Sequence, residues 1–134
     1  MIVADTNLIA YLLIPGPFGA NADRVRRSDE AWIAPALWRS EFLNVLTTGI
    51  RAGTLTLPHA QAIFRQAEVV VTTAADPLDP LQVLALAATS GCASYDCEFV
   101  ALAQAAGVPL VTADQKVLAA FPGTAVSLGD FAPA

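Results

Sequence analysis

The chain has 134 residues, the size of one ordinary domain and too short for two separate cores, so a single domain over 1–134 is expected. Seven Lys and Arg against twelve Asp and Glu leave a net charge of −5 and a pI near 4.5, which excludes binding nucleic acid through a broad basic face. At 55% hydrophobic residues disorder is excluded as well, and Pro, Gly or a charge breaks every apolar run before the roughly 18 residues a membrane span needs.

Met1 to Ala4 is a short apolar run ending at Asp5, without the positive n-region of a signal peptide, so a cytoplasmic protein is expected. Leu8 to Leu13 begins a helical pattern that Pro15, Gly16 and Pro17 stop. Ala31 to Ile33 reads as a second strand, and Pro35 opens a long helix from about Ala36 to Arg51, closed by Gly53. Pro58 opens a further helix to Glu68, and the β-branched run Val69 to Thr72 reads as a strand. Asp76 before Pro77 has the form of an N-cap and a first helical proline, leading a helix to Ser90.

Cys92 to Ser94 is a weak strand candidate, followed from Asp96 by helical spacing up to Gly107, a C′ glycine. Pro109 to Thr112 is a strand, Gln115 to Ala120 a short helix and Thr124 to Ser127 a last strand. Apolar strands alternating with helices predict an α/β fold in three layers, a mostly parallel sheet with helices on both faces. Cys92 and Cys97 match neither a disulfide framework nor a Cys-x-x-Cys pair and read as reduced thiols.

Asp5, Asp96 and Asp114 share one expected address, just after an apolar strand and just before a helix. In parallel sheets that address is the carboxyl edge, where ligands bind. Each acid alone is also an ordinary helix cap. Glu41 lies on the long helix at the border of an apolar arc made by Leu37, Trp38 and Val45, where it either pairs with Arg39 or another cation or turns toward Asp5. Four acids converging without a base would repel one another unless a divalent cation were bound, and Mg²⁺ or Mn²⁺ suits oxygen ligands. Asn7 and Thr112 could orient such a site, although both are also ordinary turn residues.

These residues resemble the PIN-domain ribonucleases, and among them the VapC toxins of toxin–antitoxin pairs. The resemblance rests on Val3-Ala4-Asp5-Thr6-Asn7, Trp38-Arg39-Ser40-Glu41-Phe42-Leu43-Asn44, the block from Ser94 to Ala103 and Pro109-Leu110-Val111-Thr112-Ala113-Asp114, in that order over nearly the whole chain. It implies a PIN-like fold in which Asp5, Glu41, Asp96 and Asp114 are the catalytic, metal-binding quartet, with Thr112 supporting. It also implies cleavage of RNA to a 5′-phosphate and a 3′-hydroxyl, a homodimer and a cognate antitoxin whose tail lies in an apolar groove. Cys97 departs from the small residue common at its position, and Lys116 stands where a further acid would support a second metal. The cluster Arg24, Arg26 and Arg27 would contact RNA away from the metal, or is simply the solvated face of a helix. Other readings are an RNA-processing enzyme that is not a toxin, a haloacid dehalogenase-like phosphatase, whose Asp-x-Asp is broken by Asn7, and a non-enzymatic metal- or partner-binding scaffold.

Overall fold

The computed structural model describes residues 1–134. Five short strands, Ile2–Ala4 (β1), Trp32–Ala34 (β2), Val71–Thr73 (β3), Leu110–Val111 (β4) and Ala125–Val126 (β5), form an all-parallel sheet in the order β3-β2-β1-β4-β5. Thr6–Leu13 (α1) and Gly19–Ser28 (α2) join β1 to β2, while Leu37–Arg51 (α3) and Leu57–Val70 (α4) join β2 to β3. Pro80–Ser90 (α5) and Ser94–Ala106 (α6) lead to β4, Gln115–Ala120 (α7) leads to β5, and Leu128–Phe131 (α8) follows it.

The strand order places the site. The first two crossovers step one way along the sheet and the last two step back, so right-handed connections put their helices on opposite faces. Accordingly α1 packs with α2, α3 and α4, whereas α6 packs with α5 and against β1 and β4. With both faces covered, Ile2, Val3 and Ala4 are all buried, which is why β1 reads as a continuous apolar run. The chain leaves β1 toward one face and β4 toward the other, which opens a crevice between their carboxyl ends.

Four expected elements fall differently. The Val69–Thr72 strand is displaced: α4 continues through Val70, with Val69 85% exposed on it, and β3 begins at Val71. Pairing with the three residues of β2 selects Val71, Thr72 and Thr73, and β-branching alone does not. Asp76 is not a helix cap. The same Asp-Pro signal recurs at Asp79-Pro80, and there it is used, with Asp79 accepting from the Leu81 amide at 3.0 Å. A helix begun at Pro77 would meet Pro80 within its first turn, and that proline drives Asp79 into extended geometry (ψ 111°).

Cys92–Ser94 is not a strand: Gly91 closes α5 at φ 71°, Ala93 is the N-cap of α6 and Ser94 already belongs to it. Both neighbours of β1 are taken by β2 and β4, so no slot in the sheet is left beside it. The second strand is Trp32–Ala34, one residue later than expected. Helix α2, only implied by the Arg24–Arg27 cluster, and α8, capped by Ser127, were not legible as elements.

Candidate active site

Asp5 ends β1 and caps α1, its Oδ1 accepting from the Leu8 amide at 2.8 Å. The register that sets Val3 beside Leu110 and Ala4 beside Val111 carries on to bring Thr112 against Asp5, and the Thr112 hydroxyl donates to Asp5 Oδ2. Thr112 is 1% exposed, and its oxygen also accepts from the Asp114 amide at 3.0 Å. Asp114 in turn caps α7, Oδ1 accepting from Lys116 and Val117 at 2.9 and 3.1 Å. One buried hydroxyl thus couples the ends of the two strands on either side of the crevice.

Glu41 arrives from α3. Trp38, Phe42 and Phe64 hold α3 on α4, with Trp38 stacked on Phe64 at 5.8 Å and Phe42 on Phe64 at 6.2 Å between ring centroids. That packing turns the Glu41 edge of the helix toward α1, where Glu41 Oε1 accepts from the Thr6 hydroxyl at 2.7 Å. Arg39 does not pair with Glu41; it binds Glu68 at 2.9 Å. Asp96 corrects the shared address, since it follows no strand and is the third residue of α6. Because α6 ends where β4 begins, its N-terminus lies at the carboxyl edge, and its first turn delivers Asp96 there.

Asp5, Asn7, Glu41, Asp96, Thr112 and Asp114 line one cleft of about 260 Å³, together with Thr6, Asn44, Val45, Phe99, Leu110 and Val117. No Lys, Arg or His is among them. Burial lifts the Asp5 carboxyl from 3.8 to about 6 against the hydrogen bonds from Thr112 and Leu8, and the charges of Asp114 and Glu41 add to the rise. Asp96 is also raised, first by burial and then by Asp114 and Glu41, while Lys116 opposes the shift.

The capping and cleft-lining readings therefore coexist at Asp5 and Asp114, and neither excludes the other. Sequence reasoning assigned no role to Asn44, which lies one turn from Glu41 on α3, a spacing that could have found it. It also passed over Glu98, whose carboxyl is raised by burial and by Glu41. Cys97 is fully buried, with its thiol 3.9 Å from the Ser90 hydroxyl, and burial pushes the thiol up; it belongs to the core. Both cysteines are free. Arg26 lies away from the cleft, donating to the Glu30 and Val70 carbonyls and standing 5.4 Å over the Trp32 ring, at the amino edge of the sheet. Arg24 binds Asn21 on its own helix.

A divalent ion suits this donor set. Hard carboxylate oxygens without a cationic partner leave negative charge to be matched, and Mg²⁺ is commonly held by one or two carboxylates and several waters.

The PIN domain family model matches residues 2–122. Ribonuclease VapC3 of Mycobacterium tuberculosis, from two strains, is 30% identical over 121 residues, covering 90% of this chain and 88% of that protein. The crystal structure of PAE2754 from Pyrobaculum aerophilum superposes with a TM-score of 0.75 at 23% identity, covering 95% of this chain and 83% of the other. A toxin–antitoxin complex from Klebsiella pneumoniae gives 0.70 at 17% identity, covering 96% and 98%. The likeness to the two solved structures speaks for the fold; the family match and the VapC3 identity go further, and the chain belongs to the PIN-domain family as a VapC-type member.

Proposed function

We propose that this chain, acting as one PIN-like domain, is a metal-dependent endoribonuclease and the toxin of a toxin–antitoxin pair. The observation that carries the reading is the cleft itself: the six polar residues singled out from the sequence line one crevice at the topological switch point, with no cation among them. Asp5, Glu41, Asp96 and Asp114 would hold Mg²⁺ or Mn²⁺. Such an ion supplies positive charge against a phosphodiester and makes a water more acidic there. The protein's own residues prepare the place. Thr112 fixes the Asp5 carboxylate and Thr6 the Glu41 carboxylate, so neither side chain has to be ordered when substrate arrives. Asn7, exposed at the start of α1, offers an amide to a phosphate oxygen or a water. Buried Val117 and Leu110 wall the cleft on the β4 side.

The same reading includes a cognate antitoxin, supported by the toxin–antitoxin complex among the similar folds. A groove between α3 and α4, lined by Leu43, Leu46, Ile50, Leu57, Ala60 and Phe64, would be its apolar seat. A homodimer, expected from the apolar excess of the chain, would need an exposed apolar face, and Leu81 and Leu84 on α5, 73% and 62% exposed, offer one. No helix is long and apolar enough to cross a membrane, and cytoplasmic action is part of the proposal.

Expression of the wild-type chain should arrest growth, Asp5→Asn at matched level should not, and co-expression of an adjacent small gene should relieve the arrest. Purified protein should cleave RNA in Mg²⁺ or Mn²⁺ and stop in EDTA. Cleavage undiminished by EDTA would remove the metal from the reading. Equal growth of wild type and Asp5→Asn would leave an RNA-processing enzyme as the better account.

A further inference from the structure

The acidic cleft poses a problem of substrate binding. A chain with net charge −5 repels RNA at a distance, and an ion in the cleft neutralises only the phosphate it touches. Flanking nucleotides must be held by something outside the lining. Three of the six arginines are occupied elsewhere: Arg39 by Glu68, Arg26 by two carbonyls at the amino edge, and Arg24 by Asn21.

Resting on the ribonuclease reading, we propose that the first turns of α6 and α7 form a strip that binds single-stranded RNA beside the cleft, with the Lys116 ammonium on a phosphate and the Tyr95 ring stacked on a base.

Lys116 is the only lysine in the chain. Its amide donates to the Asp114 carboxylate at 2.9 Å, which fixes this turn of α7 at the cleft. Its side chain is exposed, and the ammonium has neither an ion pair nor a hydrogen bond within the protein. The Lys116 carbonyl meets the Cys92 thiol at 4.0 Å, so α7 abuts the segment that enters α6 three residues before Tyr95.

Tyr95 is 61% exposed, the most exposed aromatic side chain of the chain. Phe18, the other exposed one, is already packed on Tyr11 at 4.8 Å between centroids. Tyr95 stands one turn before Phe99 and next to Asp96, both of which line the cleft. Side chains at i and i+4 share a helix face and lean toward the N-terminus, so the Tyr95 ring sits on the outer turn of the cleft-facing stripe. A free ring and a free ammonium beside a phosphodiester site are the two elements that hold single strands: sequence-tolerant stacking on an aromatic and charge on the backbone. A duplex keeps its bases stacked on one another and would gain only the charge.

The test is cleavage of a short fluorescent single-stranded RNA of mixed sequence in Mg²⁺, with KM and kcat measured across about 50 to 200 mM salt. Lys116→Ala should raise KM more than it lowers kcat and flatten the slope of log(kcat/KM) against log salt by about 0.7, one single-strand phosphate contact. Lys116→Arg should restore the slope. Tyr95→Ala should weaken binding about tenfold at every salt concentration while Tyr95→Phe does not. Arg27→Ala, the same charge removed from an exposed site at the end of α2, should leave the slope alone. Active wild type with unchanged KM and slope in Lys116→Ala and Tyr95→Ala overturns the strip and spares the nuclease. Equal losses on duplex RNA overturn the stacking. A wild type that cleaves no RNA in Mg²⁺ or Mn²⁺ overturns both readings.

Discussion

Asp5→Asn should make the metal-free protein more stable at neutral pH while abolishing its activity. The Asp5 carboxyl titrates at about 6 in the fold against 3.8 for an ordinary aspartate. A folded-state value raised in this way means that the native state binds the proton more tightly, so the stability Asp5 confers is fully present below about pH 4 and is lost as pH rises through 6. Above that range the ionised side chain costs the fold about 3 kcal/mol relative to its neutral form. Asparagine is neutral throughout and keeps the cap on Leu8, because its carbonyl accepts as the carboxylate did. The bond from Thr112 to the charged carboxylate is already contained in that cost, since it holds the folded-state value below where burial alone would put it.

The net gain at pH 7 is therefore about 3 kcal/mol, or roughly 10 °C in Tm for a chain of this length. Urea and thermal unfolding in EDTA, followed through the buried Trp32 and Trp38 between pH 4 and 7.5, would measure it. The gain should be present at pH 7 and absent at pH 4. Added Mg²⁺ should stabilise wild type and not the variant, since an ion stabilises only the state that binds it. A variant no more stable than wild type at pH 7, or equally more stable at both pH values, would refute the argument that buried negative charge is held here at the expense of the fold.

Three further outcomes follow from the same geometry. Thr112→Val keeps the shape of a fully buried side chain but strands the Asp114 amide and the Asp5 carboxylate, and should cost about 1 to 3 kcal/mol in urea unfolding along with most of the activity. Glu41→Gln can still accept from Thr6, so circular dichroism and Tm should stay near wild type while kcat falls by about 100-fold or more; retained turnover would return Glu41 to a border residue of α3. Phe42→Ala should cost about 3 to 5 kcal/mol, because the ring is fully buried between Trp38 and Phe64, and partial proteolysis should then begin in the α3–α4 pair.

Much of this protein is written locally. An apolar run such as Ile2-Val3-Ala4 fits a strand buried on both faces, as in a helix-covered parallel sheet, and Asp5 after it is a favoured helix cap. The four cleft carboxylates were likewise legible as candidates, because acids after apolar strands or on the border of an apolar helix face are recognisable before any fold is known, and Asn7 and Thr112 were picked out beside them. Other features depend on partners distant in sequence. Asp76-Pro77 and Asp79-Pro80 are the same signal twice, and only the second proline's effect on its predecessor separates them. Val69 and Val70 have the propensity of strand residues, yet the edge of β2 offers three pairing positions and the helix keeps the rest.

Asp96 shows the division most clearly. Its membership in the site was readable, but its route was not: it arrives on a helix that descends from the carboxyl edge toward β4, and no local pattern records where a helix begins relative to a sheet. The raised carboxyl of Asp5 belongs wholly to the tertiary structure, because desolvation and the charges of Asp114 and Glu41 act through space. Sequence determines which groups can cap, pack or ionise, since those are properties of single residues and their neighbours. Only the folded chain decides which charges meet, because Coulomb energy depends on distance and burial, and both are set when strands far apart in sequence pair.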